Sequence, residues 1–182
     1  RAEALAKEID GAVIPQQFEN MANPDIHEKT TGEEIWQDCD GKVDIFISGV
    51  GTGGTLTGVA RVLKARNPQV QIVAIEPEDS AVLSGRAAGP HKIQGIGPGF
   101  NPKTLDVSLI DEILTIGNET SFDMARALAE LEGVPVGISS GAVLAAAVEI
   151  GHRDGMKGKR IVVIIPSFAE RYLSSGLFDG IG

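Results

Sequence analysis

Residues Gly49-Val-Gly51-Thr-Gly53-Gly54-Thr55 place four glycines and two threonines in seven positions. Glycines let main-chain N–H groups approach an anion without interference from a Cβ, and threonine hydroxyls add further donors. Where such a loop joins a strand to the N-terminus of a helix, the chemistry it serves is phosphate binding. A tight turn without a ligand is the alternative. Two kinds of phosphate stay open at this point. Gly49-x-Gly51-x-x-Gly54 satisfies the dinucleotide pattern, and Glu76 ends the next strand where an adenosine ribose would be held; by spacing alone, a nicotinamide-binding domain of an oxidoreductase fits. The clustered Gly53-Gly54-Thr55 suits a compact terminal phosphomonoester instead, and nothing later in the chain looks like a hydride-transfer site.

Other reactive side chains are few. Cys39 is the single cysteine, and His27, His91 and His152 are dispersed, so neither a disulfide framework nor a metal-ligand spacing is present. No metal is expected. Cys39 reads as a small packing residue, and the pairs Glu33-Glu34 and Asp111-Glu112 as solvated faces. Sixteen Lys and Arg against 25 Asp and Glu leave a net charge of −9, which repels nucleic acid and anionic membrane surfaces. No apolar run reaches the roughly 20 residues of a membrane span, and Arg1 to Asp10 lacks the apolar centre of a signal peptide. A soluble, cytoplasmic chain is expected.

The elements that must position these residues follow from periodicity. Apolar, β-branched runs alternate with helix-period stretches, the pattern of an α/β fold built on a largely parallel sheet. The spacing predicts helix from Ala2 to Ile9 and, behind an Asn23 cap with Pro24 at the first helical position, from Asp25 to Cys39 with a disturbance at Thr30-Thr31-Gly32. The clearest unit is strand Val43–Ile47, the glycine loop, helix Leu56–Arg66 and strand Val70–Ile75, a complete βαβ. Residues 77–103, rich in Gly and Pro, read as a long functional loop with a short helical piece near Ser80–Ser84. Beyond it come a strand at Glu112–Ile116, a helix capped by Asn118 or Thr120 and running to about Glu132, a strand at Val134–Ile138, a helix at Ser139–Ile150 and an apolar strand at Arg160–Ile165.

Five separated motifs go further: Pro15-Gln-Gln-Phe18, Gly51-Thr-Gly-Gly-Thr55, Ile93-Gln-Gly-Ile-Gly-Pro-Gly-Phe100, Gly137-Ile-Ser-Ser-Gly141 and Pro166-Ser-Phe-Ala-Glu-Arg-Tyr-Leu173. In this order they resemble the cysteine synthases (O-acetylserine sulfhydrylases) of the β-family of pyridoxal-phosphate enzymes. Cystathionine β-synthase and O-phosphoserine-using relatives share several of the motifs. The resemblance implies fold type II, tryptophan synthase β-like: a twisted, mostly parallel sheet with helices on both faces. It implies that Gly51, Thr52, Gly53, Gly54 and Thr55 bind the phosphate of pyridoxal 5'-phosphate and that Ser139 hydrogen-bonds its pyridine nitrogen. Gln17, Phe18 and Gly95 are then substrate-binding, and Pro166 and Ser167 lie near the pyridine edge. The implied reaction is β-replacement, in which O-acetyl-L-serine loses its α-proton and acetate and sulfide adds to release L-cysteine. The implied partners are a second copy in a homodimer and the carboxyl-terminal tail of serine acetyltransferase.

That family needs a lysine, in a Ser-x-Lys-type motif, to hold the cofactor and move the Cα proton. No such motif occurs here, and Lys7, Lys29, Lys42, Lys64, Lys92, Lys103, Lys157 and Lys159 fall on helix faces or polar turns. The chain also opens at Arg1 in mid-helix pattern, as a fragment or processed product would. Residues 1–18 are therefore read as a remnant or crossover from a smaller N-terminal domain, and residues 19–182 as the larger cofactor-binding domain. No catalytic residue is expected within the chain, and the chain alone is expected to be inactive.

Overall fold

In the computed structural model, which describes residues 1–179, four strands form one wholly parallel sheet: β1 (Ile45–Gly49), β2 (Gln71–Pro77), β3 (Glu112–Ile116) and β4 (Ile161–Val163). Their order is β3-β2-β1-β4. The helices are α1 (Ala2–Glu8), α2 (Ala22–Lys29), α3 (Thr31–Asp38), α4 (Gly54–Arg66), α5 (Asn118–Glu132) and α6 (Ile138–Gly151). None of them is long and apolar enough to cross a membrane.

Strands that are apolar on both faces must be covered twice, and successive side chains of β1 and β2 divide the core. Ile45, Ile47, Val73 and Ile75 meet Ala142, Val143 and Ala146 of α6, with α5 alongside. Phe46, Ile72 and Ala74 meet Leu56, Val59 and Leu63 of α4, with Ile35, Trp36 and Cys39 at the margin. Cys39 thus packs as a small apolar residue. The expected α/β class, with helices on both faces of a parallel sheet, is the architecture observed.

Central β1 connects through α4 to β2 on one side, whereas β4, much later in the chain, lies on its other side. A crevice opens at the carboxyl ends of strands where the order reverses in this way. Helix α2 reaches that end because it lies directly on α4. A Cβ on Gly58 would sit 2.6 Å from Glu28 N and 2.7 Å from His27 Cβ, and one on Gly54 would overlap the Asn23 amide. Two glycines one helical turn apart therefore let the helix backbones approach closely.

Three expected elements differ. The disturbance expected at Thr30-Thr31-Gly32 is a full break at Thr30, whose hydroxyl bonds back to Ile26 O at 2.7 Å, so α2 and α3 are separate helices, and α2 already begins at Ala22. Asn23 therefore lies inside α2 rather than capping it. Val134–Ile138 is not a strand; only Val136 forms an antiparallel bridge, with Phe168. Pro135 has no N–H to donate and Gly137 caps α6, so no ladder can grow there. The helical piece near Ser80–Ser84 is a 3₁₀ turn at Glu78–Ser80.

Candidate active site

At the end of β1 the chain turns through residues 50–53 into α4. Gly53, at the helix N-cap, has φ +80°, a left-handed conformation that side chains rarely adopt. Gly51 is crowded: a Cβ there would collide with Gly95 O of the long loop. That loop is pinned over β1 by the bond from Gly97 N to Val50 O, 2.9 Å. Between them lies a cavity of about 350 Å³, a size suited to a small ligand or cofactor. Gly51, Thr52, Gly53 and Thr55 form one wall; Gly95 and Ile96 form a second, and Ser139, Pro166, Ser167 and Tyr172 lie across from them.

Gly51, Thr52, Gly53 and Thr55 line the cavity, and Gly54 lies behind them, its N–H donating to Thr52 Oγ1 at 3.3 Å. Ser139 lines the opposite side, 3% exposed on the first turn of α6. The neighbouring Ser140 Oγ is buried without a hydrogen-bond partner among the described residues. Gly95, with φ +97°, lines the cavity too, as do Pro166 and Ser167. Gln17 and Phe18 stand outside its wall. Gln17 is exposed, and Phe18 is half-buried with its ring edge-on to Phe100 at 5.2 Å.

Sequence reasoning missed the residues that hold the loop in place. Asn23 Nδ2 donates both to Thr52 Oγ1 and to Gln17 O, each at 2.9 Å. His27 Nε2 lies 3.1 Å from Thr55 Oγ1, and Thr104 Oγ1 donates to Thr52 O at 2.6 Å. The Asn-Pro pair carried a capping signal, which concealed the long-range role of Asn23; His27 and Thr104 carried no local signal at all.

The charges suit an anion. No acidic residue and no lysine lines the cavity among the described residues; Arg171 is the one charged group there, and the α4 N-terminus adds its partial positive charge. Lys92, beside the long loop, points to solvent at 69% exposure. These features fit pyridoxal phosphate: glycine-lined donors for a phosphate, and the Ser139 hydroxyl on the cavity wall for a ring nitrogen. The dinucleotide reading loses its acidic residue. Glu76 is 2% exposed, and its carboxylate accepts from Leu83 N and Ser84 N at 2.8 Å and from Ser84 Oγ at 2.6 Å, which leaves it committed to the following loop.

The family model described as pyridoxal-phosphate dependent enzyme matches residues 1–167. The chain is 53% identical over 174 residues to a cysteine synthase of Staphylococcus aureus, covering 95% of this chain and 56% of that protein. It is 53% identical over 184 residues to cysteine synthase A of Salmonella typhi, covering 97% and 57%. The crystal structure of a cysteine synthase (OASS) from Entamoeba histolytica superposes with a TM-score of 0.93 at 45% identity, over 97% of this chain and 52% of that one. The chain thus spans about half the length of the relatives it matches.

Proposed function

Since the chain belongs to the family of pyridoxal-phosphate-dependent enzymes, we propose that it forms the phosphate- and ring-binding side of a site that makes L-cysteine from O-acetyl-L-serine and sulfide. The observation that carries this is one cavity joining the Gly51–Thr55 loop to the Ser139 hydroxyl at the carboxyl ends of β1 and β4, in a chain 53% identical to cysteine synthases.

In this reading the loop N–H groups and the Thr52 and Thr55 hydroxyls hold the cofactor phosphate, aided by the α4 dipole. When bound, pyridoxal phosphate supplies the electron-accepting ring that allows loss of the substrate α-proton and departure of the β-acetate. Ser139 presents a neutral hydroxyl to the pyridine nitrogen. A hydroxyl, unlike a carboxylate, does not hold that nitrogen protonated, which weakens the electron sink and favours elimination across Cα–Cβ over transamination. Gly95 lines the cavity and faces the incoming substrate, Gln17 and Phe18 meet it from outside the cavity wall, and the covering loop excludes water from it. None of the eight lysines lines the cavity, so the lysine that holds the cofactor and moves the α-proton comes from outside the described residues. Residues 1–18 then serve as the crossover to a smaller domain and residues 19–182 as the larger one. A cytoplasmic homodimer that receives the carboxyl-terminal tail of serine acetyltransferase completes the proposal.

The test joins this chain to the part of the Staphylococcus aureus cysteine synthase that it does not match. The product should bind pyridoxal phosphate and release cysteine from O-acetylserine and sulfide, whereas the 182-residue chain alone should release none. A chimera that binds the cofactor but forms no cysteine contradicts the substrate assignment.

A further inference from the structure

Four successive carbonyls, those of residues 15 to 18, are each taken up by a donor. Pro15 O accepts from Asn20 Nδ2 at 3.2 Å, Gln16 O from Glu19 N and Asn20 N at 2.9 and 2.8 Å, Gln17 O from Asn23 Nδ2 at 2.9 Å and Phe18 O from Thr104 N at 3.3 Å. What they enclose is strained. Gln16 has φ +53°, and Asp40, at +50°, is the other non-glycine residue with positive φ among the described residues. Asp40 follows the end of α3, where a left-handed residue is ordinary and a short acidic side chain tolerates it. Gln16 has no such local reason. A residue held in this way persists only where its surroundings over-determine it, and such residues cluster at functional sites. This one sets the course of the chain immediately before Gln17 and Phe18.

The two residues that hold Gln17 O and Phe18 O also hold the glycine loop. Asn23 Nδ2 donates to Thr52 Oγ1 at 2.9 Å, and Thr104 Oγ1 donates to Thr52 O at 2.6 Å. Neither donor has slack: the Asn23 amide lies where a Cβ on Gly54 would be, and Thr104 is buried. Thr52 and the turn at Gln16 are therefore fixed by the same two side chains. A ligand that immobilises Thr52 lowers the cost of closing that turn, and by reciprocity the closed turn raises the affinity of the ligand by the same factor.

We propose that Gln16 is a positioning residue for the substrate side of the site: its left-handed turn places Gln17 and Phe18 outside the cavity wall, and a ligand held at Thr52 locks the turn through Asn23 and Thr104. The substrate side is then complete only once the cofactor phosphate is in place. This rests on the pyridoxal-phosphate reading above, and the melting temperature, which reports binding itself, separates the two. In the 182-residue chain, saturating pyridoxal phosphate should slow amide exchange at Glu19 and Asn20, whose N–H groups close the turn on Gln16 O, by about fivefold, the lower end of ordinary coupling between sites. Gln16→Val, β-branched and ill-suited to positive φ, should exchange fast with or without the ligand and bind it more weakly by that same factor. Gln16→Gly, which adopts positive φ without strain, should keep both the response and the affinity. A melting temperature that rises with pyridoxal phosphate while exchange at Glu19 and Asn20 stays unchanged overturns the coupling alone, as does a Gln16→Val chain that behaves like the wild type. No rise in the wild-type chain overturns the phosphate-site reading and the coupling with it.

Discussion

The hydroxyl of Thr104 donates to the main-chain carbonyl of Thr52 at 2.6 Å, across 52 residues of sequence. The same residue donates its N–H to Phe18 O at 3.3 Å. Thr104, 1% exposed, thus ties Phe18 and the glycine loop together. Thr104→Val keeps the shape but leaves a buried carbonyl unpaired, which costs about 1–3 kcal/mol. The urea midpoint should fall and cofactor affinity with it; Thr104→Ser should recover both.

Glu76 anchors the long loop rather than a ribose. Its three acceptor bonds to Leu83 and Ser84 are charge-assisted and about twice as strong as neutral ones. Glu76→Gln turns an NH₂ toward one of those donors. Amide exchange at Leu83 and Ser84 should accelerate at least tenfold, and affinity for NAD should be undetectable before and after the change. Unchanged exchange would show that the carboxylate does not hold the loop.

Packing of α2 on α4 predicts that Gly58→Ala is severe. Its Cβ would overlap Pro24 O and sit 2.6 Å from Glu28 N, both main-chain atoms that cannot swing away. Overpacking of this kind costs about 1–3 kcal/mol. By contrast, Gly85→Ala meets nothing within 4 Å and carries only the strain of φ +80°, about 1 kcal/mol. Thermal melts should rank them so, and only Gly58→Ala should also weaken pyridoxal phosphate, because Asn23 and His27 move with α2.

Acid stability should depend on Asp44. Its carboxylate accepts from Arg160 N at 2.8 Å and Lys159 Nζ at 2.9 Å, which hold it below its ordinary 3.8, the Arg160 N–H contributing most. The unfolded chain therefore takes up the proton first. The stabilisation is complete above the unfolded value and is lost as pH falls through the lowered one. Across about pH 5 to 2, Asp44→Asn should flatten the decline of the urea midpoint. Parallel declines in the two proteins would show that the carboxylate is not held by these donors.

Much of this was legible locally. Strand, glycine loop and helix follow one another within residues 43–66, so the glycine loop could be placed from periodicity and glycine content alone. Ser139 and Gly95 required the motif resemblance, because a serine opening a helix and a glycine in a turn have ordinary structural uses. Asn23, His27 and Thr104 stayed hidden because their partners lie on other elements. Glu76 shows the converse: spacing suited it to a ribose, but its partners are the main-chain amides of Leu83 and Ser84. The Val134–Ile138 run failed as a strand because apolar composition does not reveal that Pro135 and Gly137 deny it a ladder.

The central claim is that the Gly51–Thr55 loop binds the phosphate of pyridoxal phosphate, and thermal unfolding of the chain titrated separately with pyridoxal phosphate and NAD tests it most directly. A ligand that binds only the native state must stabilise it, by about 2.7 kcal/mol at a hundred times its Kd. The account predicts a melting temperature that climbs with pyridoxal phosphate, stays flat with NAD, and stays flat with both when Thr52 and Thr55 are replaced by valine. A rise with NAD alone, or a rise with pyridoxal phosphate that survives the double replacement, would contradict it.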